Sequence, residues 1–225
     1  LVLAMEPDAS LVFEGRLTAI GTEAAPIIVQ PASTGSGAAA LPWGVVALRG
    51  AGANGSEIAH ARMNLGSGLI EPLAEYSAML SIHHVQDVTI SHCQFEDNRV
   101  VDDMVHAVYS DVRFDTCTFT RSLRDALDLD ITSGTVVRCT FVDSGNDGLD
   151  LMTSRIVVED TRITGSVDKG ISVGEDTDLM ALNTYIKDCV IGVQIKDRSR
   201  AVLYQCEVLG GEKGVDAIVK NWRYG

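Results

Sequence analysis

From residue 104 onward a five-residue block of alternating apolar and polar positions returns every 22 residues. It reads Met104-Val105-His106-Ala107-Val108, Ala126-Leu127-Asp128-Leu129-Asp130, Gly148-Leu149-Asp150-Leu151-Met152, Gly170-Ile171-Ser172-Val173-Gly174, Gly192-Val193-Gln194-Ile195-Lys196 and Gly214-Val215-Asp216-Ala217-Ile218. The second and fourth positions are apolar and the third is mostly polar, which is the period of a strand and not of a helix. A second apolar run follows each block, as in Val88-Thr89-Ile90, Val112-Arg113-Phe114 and Ile156-Val157-Val158. A third, shorter run follows that one, as in Cys93-Gln94-Phe95, Cys117-Thr118-Phe119 and Cys139-Thr140-Phe141. Three strands in 22 residues leave only short corners. The third corner is drawn from Asp, Asn, Gly and Ser, residues that turn tightly and tolerate positive φ.

A unit this small cannot bury its own apolar face, so the stacked array must be the folding unit. The expected fold is all-β: a single-stranded right-handed parallel β-helix, a solenoid with about 22 residues and three strands per coil. Each strand then pairs with its copy one coil away, about 4.7–4.9 Å distant, and equivalent side chains form ladders. The pattern predicts one domain over residues 1–225. Residues 1–70 read as irregular opening coils, with strand-like stretches around 10–22, 26–29 and 43–50 and a loop over 32–40. Residues 71–225 read as the regular coils. Trp43 is expected to pack against the opening coils, and Trp222 and Tyr224 to cover the last one, since an uncovered solenoid exposes its strand edges.

Cys93, Cys117, Cys139 and Cys206 fall in one inward column, interrupted by Thr161 and Thr184. Disulfides would need a particular torsion across that column, whereas buried free Cys packs as a small apolar residue. The fifth cysteine, Cys189, leaves an odd total, which favours free thiols. Lys and Arg number 18 against 31 for Asp and Glu, a formal charge of -13. That sign repels phosphate backbones and anionic headgroups, so nucleic acid is excluded as a natural partner. No apolar run approaches the length of a membrane span, and membrane insertion is not expected.

The acids concentrate. The register stacks Asp103, Asp125 and Asp147 at one corner and His106, Asp128 and Asp150 on the adjoining strand. We expect all of them to face outward. Two carboxylates one coil apart repel by roughly 1 kcal/mol in water and about 3.5 kcal/mol at an effective dielectric of 20. A protein cation such as Arg124 or Lys169, a raised pKa, or a bound ion would relieve this. Calcium fits the oxygen chemistry, with Asp103, Asp125 and Asp147 as candidate ligands; the other reading is a solvated, screened acidic face. His106 alone among the histidines shares the acidic column, and a hydrogen bond to Asp is expected there ahead of zinc.

The stretch Leu17-Thr18-Ala19-Ile20-Gly21-Thr22 with Pro26-Ile27, then Trp43-Gly44-Val45, resembles the first coils of pectin-lyase-like β-helix proteins. Asn146-Asp147-Gly148-Leu149-Asp150-Leu151 and Asp168-Lys169-Gly170-Ile171-Ser172-Val173-Gly174-Glu175 resemble rungs of the same superfamily of right-handed parallel β-helix repeat proteins. The resemblance covers nearly the whole chain. It implies secreted or cell-surface proteins, often longer than this chain, with flanking domains, and a membership of lyases, hydrolases, epimerases and binding modules. The polygalacturonase-like signature is not reproduced: Lys169 stands where its His is expected, and Asp102-Asp103 lies in another context. A lyase base would be sought among Arg121, Arg124 and Lys169.

The expected function is an extracellular module that holds a polysaccharide or cell-surface glycan on its acidic strand face, through Asp125, Asp128, Asp147, Asp150 and His106, with calcium as the candidate cofactor. The alternative is a polysaccharide lyase or glycoside hydrolase with Asp128, Asp150, His106, Arg124 and Lys169 as candidate catalytic groups, since stacked carboxylates match the roughly 5 Å spacing of a retaining pair. A structural spacer or adhesin stalk is the third reading.

Overall fold

The computed structural model describes residues 1–32 and 40–221. Most of the expected loop over 32–40, and the terminal pair Trp222 and Tyr224, lie outside the described residues.

Three long parallel sheets of nine, nine and eight strands wrap one core, the right-handed parallel β-helix that the repeat predicts. The repeating blocks form one nine-stranded sheet, here the block sheet, which includes Val46–Arg49, Ala78–His83, Asp103–Val108, Leu127–Asp130, Leu149–Met152, Lys169–Gly174, Ile191–Lys196 and Lys213–Ile218. Leu127 pairs with Leu149 and Leu149 with Ile171, the 22-residue step read from the sequence.

That step begins later than residue 71. Leu80 pairs with Val105, 25 residues on, and with Val46, 34 residues back. The longer steps accommodate insertions, chief among them an antiparallel hairpin of Leu69–Glu71 and Ala74–Tyr76. Residues 1–70 are coils of the same solenoid, joined to all three sheets.

All three corners carry a left-handed residue, and most are not glycine. His84, Tyr109, Ile131 and Thr153 occupy the first corner, His92, Thr116, Arg138, Asp160, Asn183 and Gln205 the second, and Asp97, Arg121 and Asp143 the third, with φ between 47° and 58°. Such backbone costs on the order of 1–2 kcal/mol per residue. At the second corner the bent residue still extends the ladder: Thr116 N–H donates to Val137 O at 2.9 Å and Arg138 N–H to Glu159 O at 2.9 Å.

Inside, Phe95, Phe119 and Phe141 stack at 5.2 and 4.6 Å between centroids. Cys93, Cys117 and Cys139 are buried beside them as free thiols. Their column does hydrogen-bonding work. Cys117 N–H donates to Cys139 Sγ at 3.5 Å, and Cys139 N–H to Thr161 Oγ1 at 3.3 Å. Ser110, Ser154, Thr177 and Ser199 do the same at the first corner, accepting the N–H of Val85, Thr132, Ser154 and Thr177. Cys189 is buried too.

Candidate functional site

The outward positions of the block sheet make two parallel columns. In one, Ser81, His106, Asp128, Asp150, Ser172, Gln194 and Asp216 lie side by side on successive strands. In the other, Arg49, His83, Val108, Asp130 and Met152 do so. His106, Asp128 and Asp150 are therefore brought together as the register requires.

Tyr76, from the hairpin, stands against one end of this face. Its ring lies 4.7 Å from His83, and His83 meets His106 edge-on at 5.4 Å. Arg49 fixes that end, donating to Glu71 at 2.9 Å and to the Tyr76 hydroxyl at 3.1 Å, and pairing with Glu14. Burial pulls the His83 pKa down to about 4, helped by the neighbouring His106, so its ring is neutral at physiological pH.

Around His106 the contacts differ from the expected hydrogen bond to Asp. His106 Nδ1 lies 3.3 Å from Ser77 Oγ, and Ser77 Oγ–H donates to Asp103 Oδ2 at 2.6 Å. The nearest carboxylate to Nε2 is that of Asp130, at 3.7 Å. The ligand atoms of His106, Asp128 and Asp130 all lie within 4.8 Å of one another. Burial, followed by the charges of Asp103, Asp130 and Asp150, holds the Asp128 carboxyl well above the ordinary range.

The corner column turns inward, against the expectation that it faces out. Asp103, Asp125 and Asp147 are only 4%, 7% and 2% exposed. Their oxygens are bonded to the coil. Asp125 Oδ1 accepts from Asp147 N–H and Asn146 Nδ2, each at 2.8 Å; Asp147 Oδ1 accepts from Lys169 N–H at 2.9 Å and Lys169 Nζ at 3.3 Å. The alternation rule fails here because the chain leaves the pleated strand at the corner and the side chain follows the turn. Desolvation raises the pKa of Asp103 and Asp147 to about 7 and of Asp125 to about 6. A calcium ion needs six to eight oxygens at about 2.3–2.6 Å, and these three carboxylates, spent on backbone N–H groups, serine and lysine, do not fit that set.

The candidate cations also separate. Lys169 is tied to Asp147 and Asp168. Arg124 lies outside the cluster, 3.0 Å from the exposed Asp102. Arg121 sits at the third corner with two bonds of 2.9 Å to Asp97.

Asp130, Ser77, His83 and Tyr76 were not singled out by the sequence pattern. Asp130 was within reach of it, two residues beyond Asp128 and so on the same side of a strand. Ser77 left no signal, because its place depends on the hairpin.

Residues 78–221 match the family model described as the right handed beta helix region. No curated protein matches the chain. Among solved structures, the catalytic domain of a GH87 alpha-1,3-glucanase in complex with tetrasaccharides is similar at 10% identity and a TM-score of 0.45, over 98% of this chain and 61% of that one. The chain thus spans less than two thirds of that domain. An alginate lyase from Paenibacillus sp. str. FPU-7 is similar at 11% identity and a TM-score of 0.44, over 95% and 92%. The pectate lyase Pel9A is similar at 12% and 0.42, over 97% and 70%. At these identities the likeness is one of fold.

Proposed function

The chain belongs to the right-handed β-helix family, and from that premise we propose that the outward face of its block sheet binds a hydroxyl-rich polysaccharide laid along the solenoid axis, at or outside the cell surface. One observation carries this reading: Ser81, His106, Asp128, Asp150, Ser172, Gln194 and Asp216 repeat in register on seven successive strands. Along that line, with strands about 4.8 Å apart, His106, Asp128, Asp150 and Asp216 are partly exposed, while Ser81, Ser172 and Gln194 lie buried between and beside them. Carboxylates accept hydrogen bonds from sugar hydroxyls, the Gln194 amide both donates and accepts, and the Tyr76 and His83 rings close one end. The sign of the face favours a neutral or basic glycan, because a polyuronate would bring like charge to Asp130 and Asp150.

Hydrolysis is the second reading, and the raised pKa of Asp128 favours it. A carboxyl kept protonated beside Asp150 is the acid and base arrangement of glycoside hydrolysis. Affinity electrophoresis against neutral, basic and acidic polysaccharides tests the binding, with a reducing-end assay on every glycan retained. We expect retention by a neutral or basic polymer that weakens in Asp150→Asn and Gln194→Ala. Release of reducing ends, lost in Asp128→Asn, establishes the second reading. Retention by none of the three classes of polymer removes both.

A further inference from the structure

We infer that His106, Asp128 and Asp130 form a binding site for a divalent transition-metal ion of the zinc type. The site shares the block-sheet face but does not depend on a glycan being bound there.

The hydrogen bonds set the tautomer. With Asp103 ionised, Ser77 gives its single hydroxyl proton to Asp103 Oδ2 at 2.6 Å. Its oxygen can therefore only accept from His106 Nδ1, 3.3 Å away, which places the ring proton on Nδ1. Nε2 is left with a lone pair, and that atom is buried with no hydrogen-bond partner. It points to a carboxylate: Asp130 Oδ2 lies 3.7 Å off. Two electron-rich atoms face each other across a gap, and a cation between them turns repulsion into coordination.

Asp128 supplies the third donor, since its ligand oxygen and those of the other two lie within 4.8 Å of one another. A proton would satisfy His106 and Asp130 along one line only, whereas a metal ion engages all three. The 3.7 Å separation is close to the roughly 3.4 Å subtended by two ligands on a tetrahedral ion with bonds of about 2.0–2.2 Å. The donor set selects the ion class. Imidazole nitrogen suits zinc and its neighbours, while calcium takes oxygen ligands in greater number. Three protein ligands leave a fourth position open, and a histidine whose far nitrogen is held by a hydroxyl–carboxylate relay has the outer-shell support such sites use.

The test is calorimetric titration of the whole chain with Zn²⁺ alone, without glycan. One equivalent should bind. His106→Gln and Asp130→Asn should each weaken it by at least about tenfold, and Ser77→Ala by about tenfold through loss of the ring's orientation. His60→Ala should leave it unchanged; His60 and His92, stacked at 4.7 Å, are the other place where imidazoles gather. Circular dichroism checks each fold, and Ser77→Ala with Asp130→Asn decides the matter where His106→Gln does not fold. No zinc binding, binding indifferent to these substitutions, binding lost in His60→Ala, or equal competition by Ca²⁺ overturns the inference. Zinc binding without retention of any polysaccharide would leave this site standing and sink the glycan reading alone.

Discussion

Asp125 Oδ1 accepts the backbone N–H of Asp147, one coil away, at 2.8 Å. Asp147 repeats the contact on Lys169 N–H at 2.9 Å, so buried carboxyls tie three consecutive coils at one corner. A neutral carboxyl can keep its carbonyl oxygen on that N–H while shedding the charge that burial penalises.

This makes stability depend on pH in an uncommon direction. The pKa of Asp147 rises from 3.8 to about 7 and that of Asp125 to about 6, both chiefly by desolvation. Because the folded values lie above the unfolded ones, their contribution is complete below about pH 3.8 and is lost as pH rises through 6 to 7, by a few kcal/mol in total. Asp97 and Asp115, lowered by their arginines, act oppositely and lose their contribution in acid. The melting temperature should therefore be highest near pH 5 and fall toward pH 8. A curve that rises from pH 5 to pH 8 would refute this.

Asp147→Asn tests the same corner chemically. The amide oxygen can still accept Lys169 N–H, with no charge to bury. The variant should melt no lower than the parent at pH 8 and should flatten the slope between pH 5 and 8. Lys169→Met removes the cation paired with Asp147, so it should destabilise more at pH 8 than at pH 5. Thermal melts at the two pH values read both.

Thiol chemistry is dispensable in the cysteine column. Thr161 takes the place of a cysteine one coil beyond Cys139 and accepts its N–H at 3.3 Å, as Cys139 accepts that of Cys117 at 3.5 Å. Cys139→Thr keeps the acceptor and nearly the volume, so it should cost less than about 1.5 kcal/mol. Cys139→Ala leaves Cys117 N–H without that acceptor and should cost about 1–3 kcal/mol. Urea midpoints of the two variants give the order, and reducing agent should not move the parent's.

The regular coils were legible because two periods coincide, two residues along a strand and 22 around the coil, so that a block such as Leu127-Asp128-Leu129 reports both its face and its neighbours. The opening coils obey the same pairing, yet insertions stretch the step from Leu80 back to Val46 to 34 residues, and no fixed period survives. The site divides likewise. Asp128 and Asp150 sit mid-strand, where alternation holds, and were placed on the right face. Asp103, Asp125 and Asp147 sit at a corner, where the turn sets side-chain direction, and were expected outside although they are buried. Ser77 reaches His106 only because a hairpin of no period delivers it.

Coils approach one another closely along the column of Gly148, Gly170 and Gly192. A methyl group added at Gly170 would come 2.5 Å from Ile186 Cγ2 and 2.7 Å from the backbone oxygen of Gly192. The isoleucine can rotate away; the carbonyl, held in the sheet, cannot. Gly170→Ala should thus destabilise by about 1–3 kcal/mol through overpacking, whereas Gly15→Ala, where nothing lies within 4 Å, should change stability by less than about 0.5 kcal/mol. The double variant Gly170→Ala with Ile186→Val separates the two contacts. Ile186→Val relieves only part of the crowding, so the pair should remain less stable than Ile186→Val alone. Because each coil touches only its neighbours, hydrogen exchange should quicken first in Leu149–Met152 and Ile191–Lys196, the strands on either side. Equal urea midpoints for the double variant and Ile186→Val would show that the carbonyl contact is not what excludes a side chain here.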